Sequence, residues 1–396
     1  MWQLIIATSG ILAYWLIEHY RLARARNKLR IRIHVNGTRG KSSTTRLIAA
    51  ALRAGGIRTY AKVTGTLPVF IYEDGTERFI PRPGTRDFRE HGLPNINEYI
   101  KVIRAAAMLG GEALVSECMA LRPDLQWTAE HMMMRSTIGV ITNVRRDHLD
   151  VMGPTVRDVA LAFAATIPQN GHLVTAEREY LSIFEKVASE RNTTVHYVSG
   201  DSVSDSIMHG FSYIEHADNV AIALKVAELV GVPRDIAVKG MHSARPDPGA
   251  LRILDVEERG KTIHFVSAFA ANDPDSFRLI WKAVRPRFDR WIVIMNCRED
   301  RIERSIQLGE LFVEEMSDVD AVIVTGRMTS PFIDVVRDSG VFSGQIIDCE
   351  GCSVEEVYSK LFDVARDGSG VFGMGNMVPF GEMLTEYIKE RAKNAG

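Results

Sequence analysis

Cysteine is scarce in this chain: four in 396 residues, at positions 118, 297, 349 and 352. So few and so scattered, they exclude a disulfide framework. Cys349 and Cys352 form a lone C-x-x-C without a second pair, which is thin ground for a metal or redox centre. An excess of charge of one sign is also missing. Forty-eight Lys and Arg against 50 Asp and Glu leave a net charge of −2, so no broad positive field recruits nucleic acid. Acidic partners must be met by local arginines. Internal repeats and low-complexity stretches are absent, and 46% hydrophobic with 25% charged residues is an ordinary globular balance. The length suits two domains.

One long uncharged run is present, at the start. Met1 to Ile17 carries no charge, and Glu18 is followed by Arg21, Arg24, Arg26, Lys28 and Arg30. Seventeen residues stand at the short limit for crossing a bilayer. Basic residues after the run argue for a cytoplasmic C-terminal side. The expectation is a single N-terminal span or anchor over residues 1–20, with the catalytic domains cytoplasmic. An amphipathic helix on a membrane or against a partner is the alternative.

The stretch Asn36-Gly37-Thr38-Arg39-Gly40-Lys41-Ser42-Ser43 organises the rest. It follows the alternating run Ile31–Val35, which reads as a strand, and precedes Thr44–Leu52, which reads as a helix. A glycine loop between strand and helix aims backbone N–H groups at a phosphate, over the positive end of the helix dipole. Lys41 would reach the β- and γ-phosphates, and the Ser42 hydroxyl would sit on Mg²⁺. Val35 stands where the first glycine of the full G-x-x-x-x-G-K-[ST] pattern belongs, so only the shorter form fits.

Beyond the loop, strands and helices alternate. Ile57–Val63, Ala113–Ser116, Thr137–Thr142 and His172–Val174 read as strands, with helices near 97–109, 123–135, 155–167 and 215–229. Residues 65–95 read as a loop or hairpin insertion. Alternation predicts an α/β fold with a mostly parallel sheet covered by helices, its ligands at the carboxyl ends of the strands. Glu117 and Asn143 fall at such ends. Glu117 stands where a Mg²⁺ ligand for a bound nucleotide is expected. Asp147, His148 and Asp150 sit on the next turn; His148 would be an unusual Mg²⁺ ligand, since that ion prefers oxygen.

The ordered set GTRGKSS, SECMA and NVRRDHLDVMGP resembles the ATPase core of the Mur ligase superfamily, which includes folylpolyglutamate synthases. Within it the chain is most similar to the catalytic subunits of poly-γ-glutamate synthases of the CapB/PgsB type. Arg245 to Arg252 stands in the place of that family's PPDPGA-like stretch. The resemblance implies an ATP-dependent amide ligase that polymerises glutamate through its γ-carboxylate by way of an acyl phosphate. ATP and Mg²⁺ are the implied cofactors, with Ser42, Glu117 and His148 holding metal. Lys41, Glu117, His148 and Arg298 are the implied catalytic residues. Asn36, Gly37, Thr38, Arg39, Gly40, Lys41, Ser42 and Ser43 would line the phosphates. Asn219 matches an asparagine that meets the adenine side of ATP, although a helix N-cap is an equal reading. Arg252 would reach phosphates when the domains close.

The implied partners are glutamate, the growing polymer, the membrane and small membrane subunits of a synthase complex; the sequence is compatible with a homo-oligomer. A ligase adding glutamate to a small acceptor such as folate, or a membrane ATPase of an export or assembly complex, are the competing readings. No lysine occurs between Asp147 and Gly171, so the carbamylated lysine of several Mur ligases has no counterpart there.

Residues 21–249 thus read as a Mur-ligase-like ATP-binding domain and 250–396 as a smaller, Rossmann-like α/β ligase domain with five strands. No nicotinamide cofactor is expected there. Arg298, Arg301 and Arg304 would clamp carboxylates of glutamate or of an acidic polymer.

Overall fold

The computed structural model describes residues 2–64, 68–82, 95–211, 213, 215–246, 253–271 and 273–392. Arg252, the stretch 247–252 and Asn272 lie outside them, as do residues 65–67 and 83–94. The chain divides into two compact units, Met1–Ala250 and Leu251–Gly396.

Helix α1 (Trp2–Lys28) opens the first unit. No helix among the described residues is long and apolar enough to cross a membrane. This corrects the expectation of a cell-membrane location with a single N-terminal span. Thr8, Ser9 and Gly10 dilute the apolar run, and Glu18 and His19 end it short of the roughly 20 residues a span needs. The second half of α1 is instead part of the unit. Leu22, Ala25 and Leu29 are buried with Tyr99, Val102 and Ile103. Arg26 donates to the carbonyls of Met132 (2.8 Å) and Met133 (3.0 Å), and Arg104 pairs with Glu18 at 2.7 Å.

An eight-stranded sheet follows: β1 (Ile31–Asn36), β2 (Thr59–Val63), β3 (Val69–Ile71), β4 (Glu77–Phe79), β5 (Ala113–Glu117), β6 (Ile138–Ile141), β7 (His172–Thr175) and β8 (Thr194–Tyr197). Its order is β4-β3-β2-β5-β1-β6-β7-β8. All neighbours are parallel except β2–β3 and β3–β4, the hairpin inserted after β2. Helix α2 (Lys41–Ala54) leaves the central strand β1, and α3 (Glu98–Met108) precedes β5. Val35, Leu47, Ile48, Val115 and Val140 share the core between α2 and the sheet. That burial is why β5 opens on the apolar run Ala113-Leu114-Val115, whereas β1 alternates: Ile31, Ile33 and Val35 join this core, and His34 and Asn36 are buried polar residues between and after them. The central position of β1 puts the phosphate loop between the ends of β5 and β6.

The second unit is a six-stranded sheet of β9 (Ile253–Glu258), β10 (Lys261–Ser267), β11 (Trp291–Cys297), β12 (Ala321–Gly326), β13 (Gln345–Glu350) and β14 (Ser369–Gly375), ordered β13-β12-β11-β14-β10-β9. The five expected strands are its parallel core; β9, antiparallel to β10, is the sixth. Gly368, Gly370 and Gly373 have the letters of a G-x-G-x-x-G pattern, but they run into and along β14 rather than through a strand-to-helix turn. A dinucleotide fingerprint needs that turn.

Candidate nucleotide and metal site

The loop after β1 is shaped by two glycines. Gly37 has φ 128° and Gly40 φ 80°. A Cβ on Gly37 would fall 2.1 Å from Thr142 Oγ1, and one on Gly40 would fall 2.6 Å from Asn219 Oδ1, so only glycine fits either place. The segment after β6 holds the loop from outside. Thr38 N donates to Asn143 O (3.0 Å), Arg39 N to Asn143 Oδ1 (3.1 Å), and Arg145 N to Thr38 Oγ1 (2.9 Å). Thr142 Oγ1 donates to Arg39 O at 2.7 Å. Thus the turn after β6 is a scaffold for the loop, a role that strand-end position alone did not disclose.

Asn36 faces inward. It is buried, its amide donates to Gln126 Oε1 (2.8 Å), and its own Oδ1 accepts the Gly37 N–H at 2.8 Å. The N–H groups of Gly37, Thr38 and Arg39 are engaged by the protein, which leaves the donors at the start of α2 as candidates for a phosphate. Lys41, Ser42 and Ser43 precede the first intrahelical bond, which runs from Thr44 N to Gly40 O. Lys41 Nζ donates to the carbonyls of Gly37 (2.7 Å) and Thr38 (3.1 Å), arching over the loop.

Ser42 Oγ donates to Glu117 Oε2 at 2.8 Å, and Thr64 N donates to the same oxygen at 2.7 Å. Glu117 is buried at the end of β5. Two hard oxygen donors side by side at a helix N-terminus match the ligand chemistry of Mg²⁺, with phosphate oxygens and water completing the shell. His148 stands apart from that pair in its contacts. It is half-exposed, its backbone is left-handed at φ 46°, and its Nε2 lies 3.7 Å from Asp147 Oδ1. Arg39 reaches the other Asp147 oxygen at 3.9 Å. Among the described residues no three His, Cys, Asp or Glu side chains gather to hold a metal. Asn219 is not an N-cap: it sits in the first turn of the helix Ala217–Leu229, donates to Glu215 Oε1 (2.8 Å) and packs against Gly40.

Beneath the site lies a buried polar chain. His34 Nδ1 is 2.8 Å from Glu130 Oε2, His34 Nε2 is 2.8 Å from Tyr99 OH, and Tyr99 OH donates to Glu117 O at 3.2 Å. Burial opposes charge on His34, but Cys118 and the Glu130 carboxylate outweigh it and raise its pKa to about 9. Beside this chain Lys62, fully buried, lies 3.5 Å from Glu98 Oε2, whose carboxylate also takes Arg82 at 2.7 Å. Burial pulls Lys62 down to about 8, with Glu98 and Glu117 opposing.

These shifts carry a pH prediction. A histidine raised from 6.5 to about 9 stabilises the fold fully below pH 6.5, and the stabilisation is lost as pH rises through about 9. Lys62 acts in the opposite sense, gaining above pH 8. Because Lys62 is common to both proteins, the difference between wild type and His34→Gln reads the histidine together with the Cys118 thiol whose pKa it lowers. Urea titrations at pH 6 and pH 9.5 should show that difference shrinking by up to about 3 kcal/mol. A difference independent of pH would mean that His34 is neutral in the fold.

In the second unit, Arg298 follows β11 and grips Asp300 through two bonds, 2.9 and 2.8 Å. Arg301 lies 3.9 Å from the same carboxylate. Arg304 turns inward, donating to Ala271 O at 2.9 Å. Asp273 caps the next helix by accepting from Ser276 N at 2.8 Å.

A glycine loop leaving the central strand of a parallel sheet, a lysine over it, and a serine–glutamate pair at the neighbouring strand end define a Mur-ligase-type ATP-binding core. The model of the Mur ligase middle domain matches residues 35–245, and that of the poly-gamma-glutamate synthase CapB C-terminal domain matches residues 253–391. The PGA synthase CapB of Bacillus subtilis (strain 168) is 38% identical over 393 residues, covering 98% of this chain and 98% of its own length. The capsule biosynthesis protein CapB of Bacillus anthracis is 39% identical over 392 residues, covering 97% of this chain and 82% of its own. The chain belongs to the CapB family of poly-γ-glutamate synthases. It has the same fold as a bifunctional folylpolyglutamate synthase/dihydrofolate synthase solved with Mn, AMPPNP and L-glutamate bound (TM-score 0.59, 15% identity, 94% of each chain).

Proposed function

We propose that the chain joins glutamate units through γ-carboxyl amide bonds, using ATP and Mg²⁺. Residues 21–249 handle the nucleotide, and residues 250–396 serve the ligation. The observation that carries this reading is the pairing of Ser42 with Glu117 at 2.8 Å beside Lys41 at the start of α2. Family membership supplies the substrate class.

A carboxylate is a poor electrophile. Its oxygen attacks the γ-phosphorus of ATP, the bond to the β,γ-bridging oxygen breaks, and ADP leaves. The acyl phosphate that results presents a good leaving group. An amine attacks its carbonyl carbon, loses a proton, and expels phosphate to give the amide. Magnesium, when bound, neutralises charge on the phosphate oxygens. The residues act around that chemistry. Lys41 exchanges the Gly37 and Thr38 carbonyls for phosphate oxygens. The N–H groups of Lys41, Ser42 and Ser43 orient the phosphates, while Gly37 and Gly40 let the backbone approach. Ser42 and Glu117 would hold the metal, with His148 beside the loop on Asp147. Asn219 backs Gly40 and so sets the loop's position. Arg298 would take a substrate carboxylate by releasing Asp300.

The test is ADP release with Mg²⁺-ATP, with and without glutamate, with the products weighed by mass spectrometry. Glutamate-dependent ADP and a ladder spaced by glutamyl units is the expected result. ADP release indifferent to glutamate, with no ladder, would overturn the reading.

A further inference from the structure

The first unit contains a cleft of about 320 Å³ that the ligation chemistry does not use. Arg46 and Arg53 enter it from one face of α2, Glu73, Asp74 and Glu77 from the β3–β4 hairpin, and Arg245 from the segment after the helix Arg234–His242. Three guanidinium groups thus face three carboxylates.

Some of that charge is already matched. Arg46 is buried and donates to both carboxylate oxygens of Glu77. Arg53 and Arg245 remain on one side, Glu73 and Asp74 on the other. Arg53 Nη1 is shielded from solvent and has no hydrogen-bond partner among the described residues. Burial lowers the Arg53 pKa from its usual value, with Asp74 opposing. Asp74 is held below the usual carboxylate range by the Thr76 hydroxyl and N–H, so it is ionised. A shielded cationic donor without an acceptor is costly, and a ligand carboxylate would relieve it.

A simple anion would meet Glu73 and Asp74, and a simple cation would meet the arginines. A group with an ammonium and a carboxylate on the same carbon satisfies both sides. We propose that this cleft binds the α-amino-acid head group of glutamate, free or at the amino end of a γ-linked chain. That glutamate is the amino acid rests on the ligase reading above; the head-group chemistry is read from the cleft itself. Its size falls in the range of small-molecule sites. The cleft also has a lever on the reaction. Its floor is α2, which begins with Lys41 and Ser42, and its wall ends at Arg245, just before the chain passes on to the second unit.

The experiment is calorimetric titration of the full chain without nucleotide. The probes are L-glutamate, a γ-linked glutamyl decamer, and the same decamer N-acetylated. Binding of glutamate or the free-amine decamer is expected, with acetylation weakening the decamer about tenfold or more. Tighter binding of the decamer than of glutamate assigns the site to the polymer end; the reverse assigns it to free substrate. Arg53→Gln and Asp74→Asn should each weaken binding by about tenfold. Arg245→Gln, at an exposed position, repeats the test where folding is not at risk. No binding by any probe, or binding that all three substitutions leave unchanged, overturns the proposal. If wild-type ADP release ignores glutamate, the ligase reading falls, while the titrations still decide the cleft.

Discussion

Lys41→Ala should lower ADP formation by about 10³-fold while leaving the thermal transition of the chain close to that of wild type. Among the described residues the lysine donates to the Gly37 and Thr38 carbonyls, so its removal breaks two hydrogen bonds at a partly exposed place. Its charge is the only lysine charge in the loop, and phosphoryl transfer depends almost wholly on positioning and neutralising charge. Lys41→Arg should recover little, because a planar fork cannot replace a compact ammonium in a tight glycine loop. A coupled ADP assay beside a melting curve makes the comparison. A rate within tenfold of wild type would remove Lys41 from phosphate handling.

Glu117→Gln should cost about 10²–10³-fold in the same assay and raise the Mg²⁺ concentration needed for half-maximal rate. The amide keeps the shape and keeps an oxygen to accept from Ser42 Oγ and Thr64 N. What it loses is the negative charge. A purely structural Glu117 would therefore tolerate the change, with the metal dependence unmoved. A metal-binding Glu117 would not, and titrating Mg²⁺ and Mn²⁺ separates the two. Unchanged metal dependence would sink the role.

The contrast between these two residues and Asn36 shows what a sequence can disclose. Lys41 and Ser42 follow a glycine loop at fixed spacing after an alternating strand, and that local pattern leaves little freedom for where they point. Asn36 belongs to the same stretch, yet its partners Gln126 and Thr166 are 90 and 130 residues away. Nothing near it in the chain says that it turns inward. His34 is similar: its place in an alternating strand marks it as facing a covered side, but Cys118 and Glu130, 84 and 96 residues on, are what push its pKa up. Helix α1 is the opposite lesson. Its composition suggested a bilayer, whereas Leu22, Ala25 and Arg26 commit its second half to the first unit.

The sequence by itself determined the alternating α/β architecture, the phosphate loop and the family, because these rest on period, spacing and ordered motifs. Only the tertiary structure decided that Glu117 meets Ser42, that the turn after β6 braces the loop, that Lys62 is buried beside Glu98, and that six charged residues line one cleft. Each is a contact between segments distant in the chain, and the strand order that brings them together is set by long-range packing.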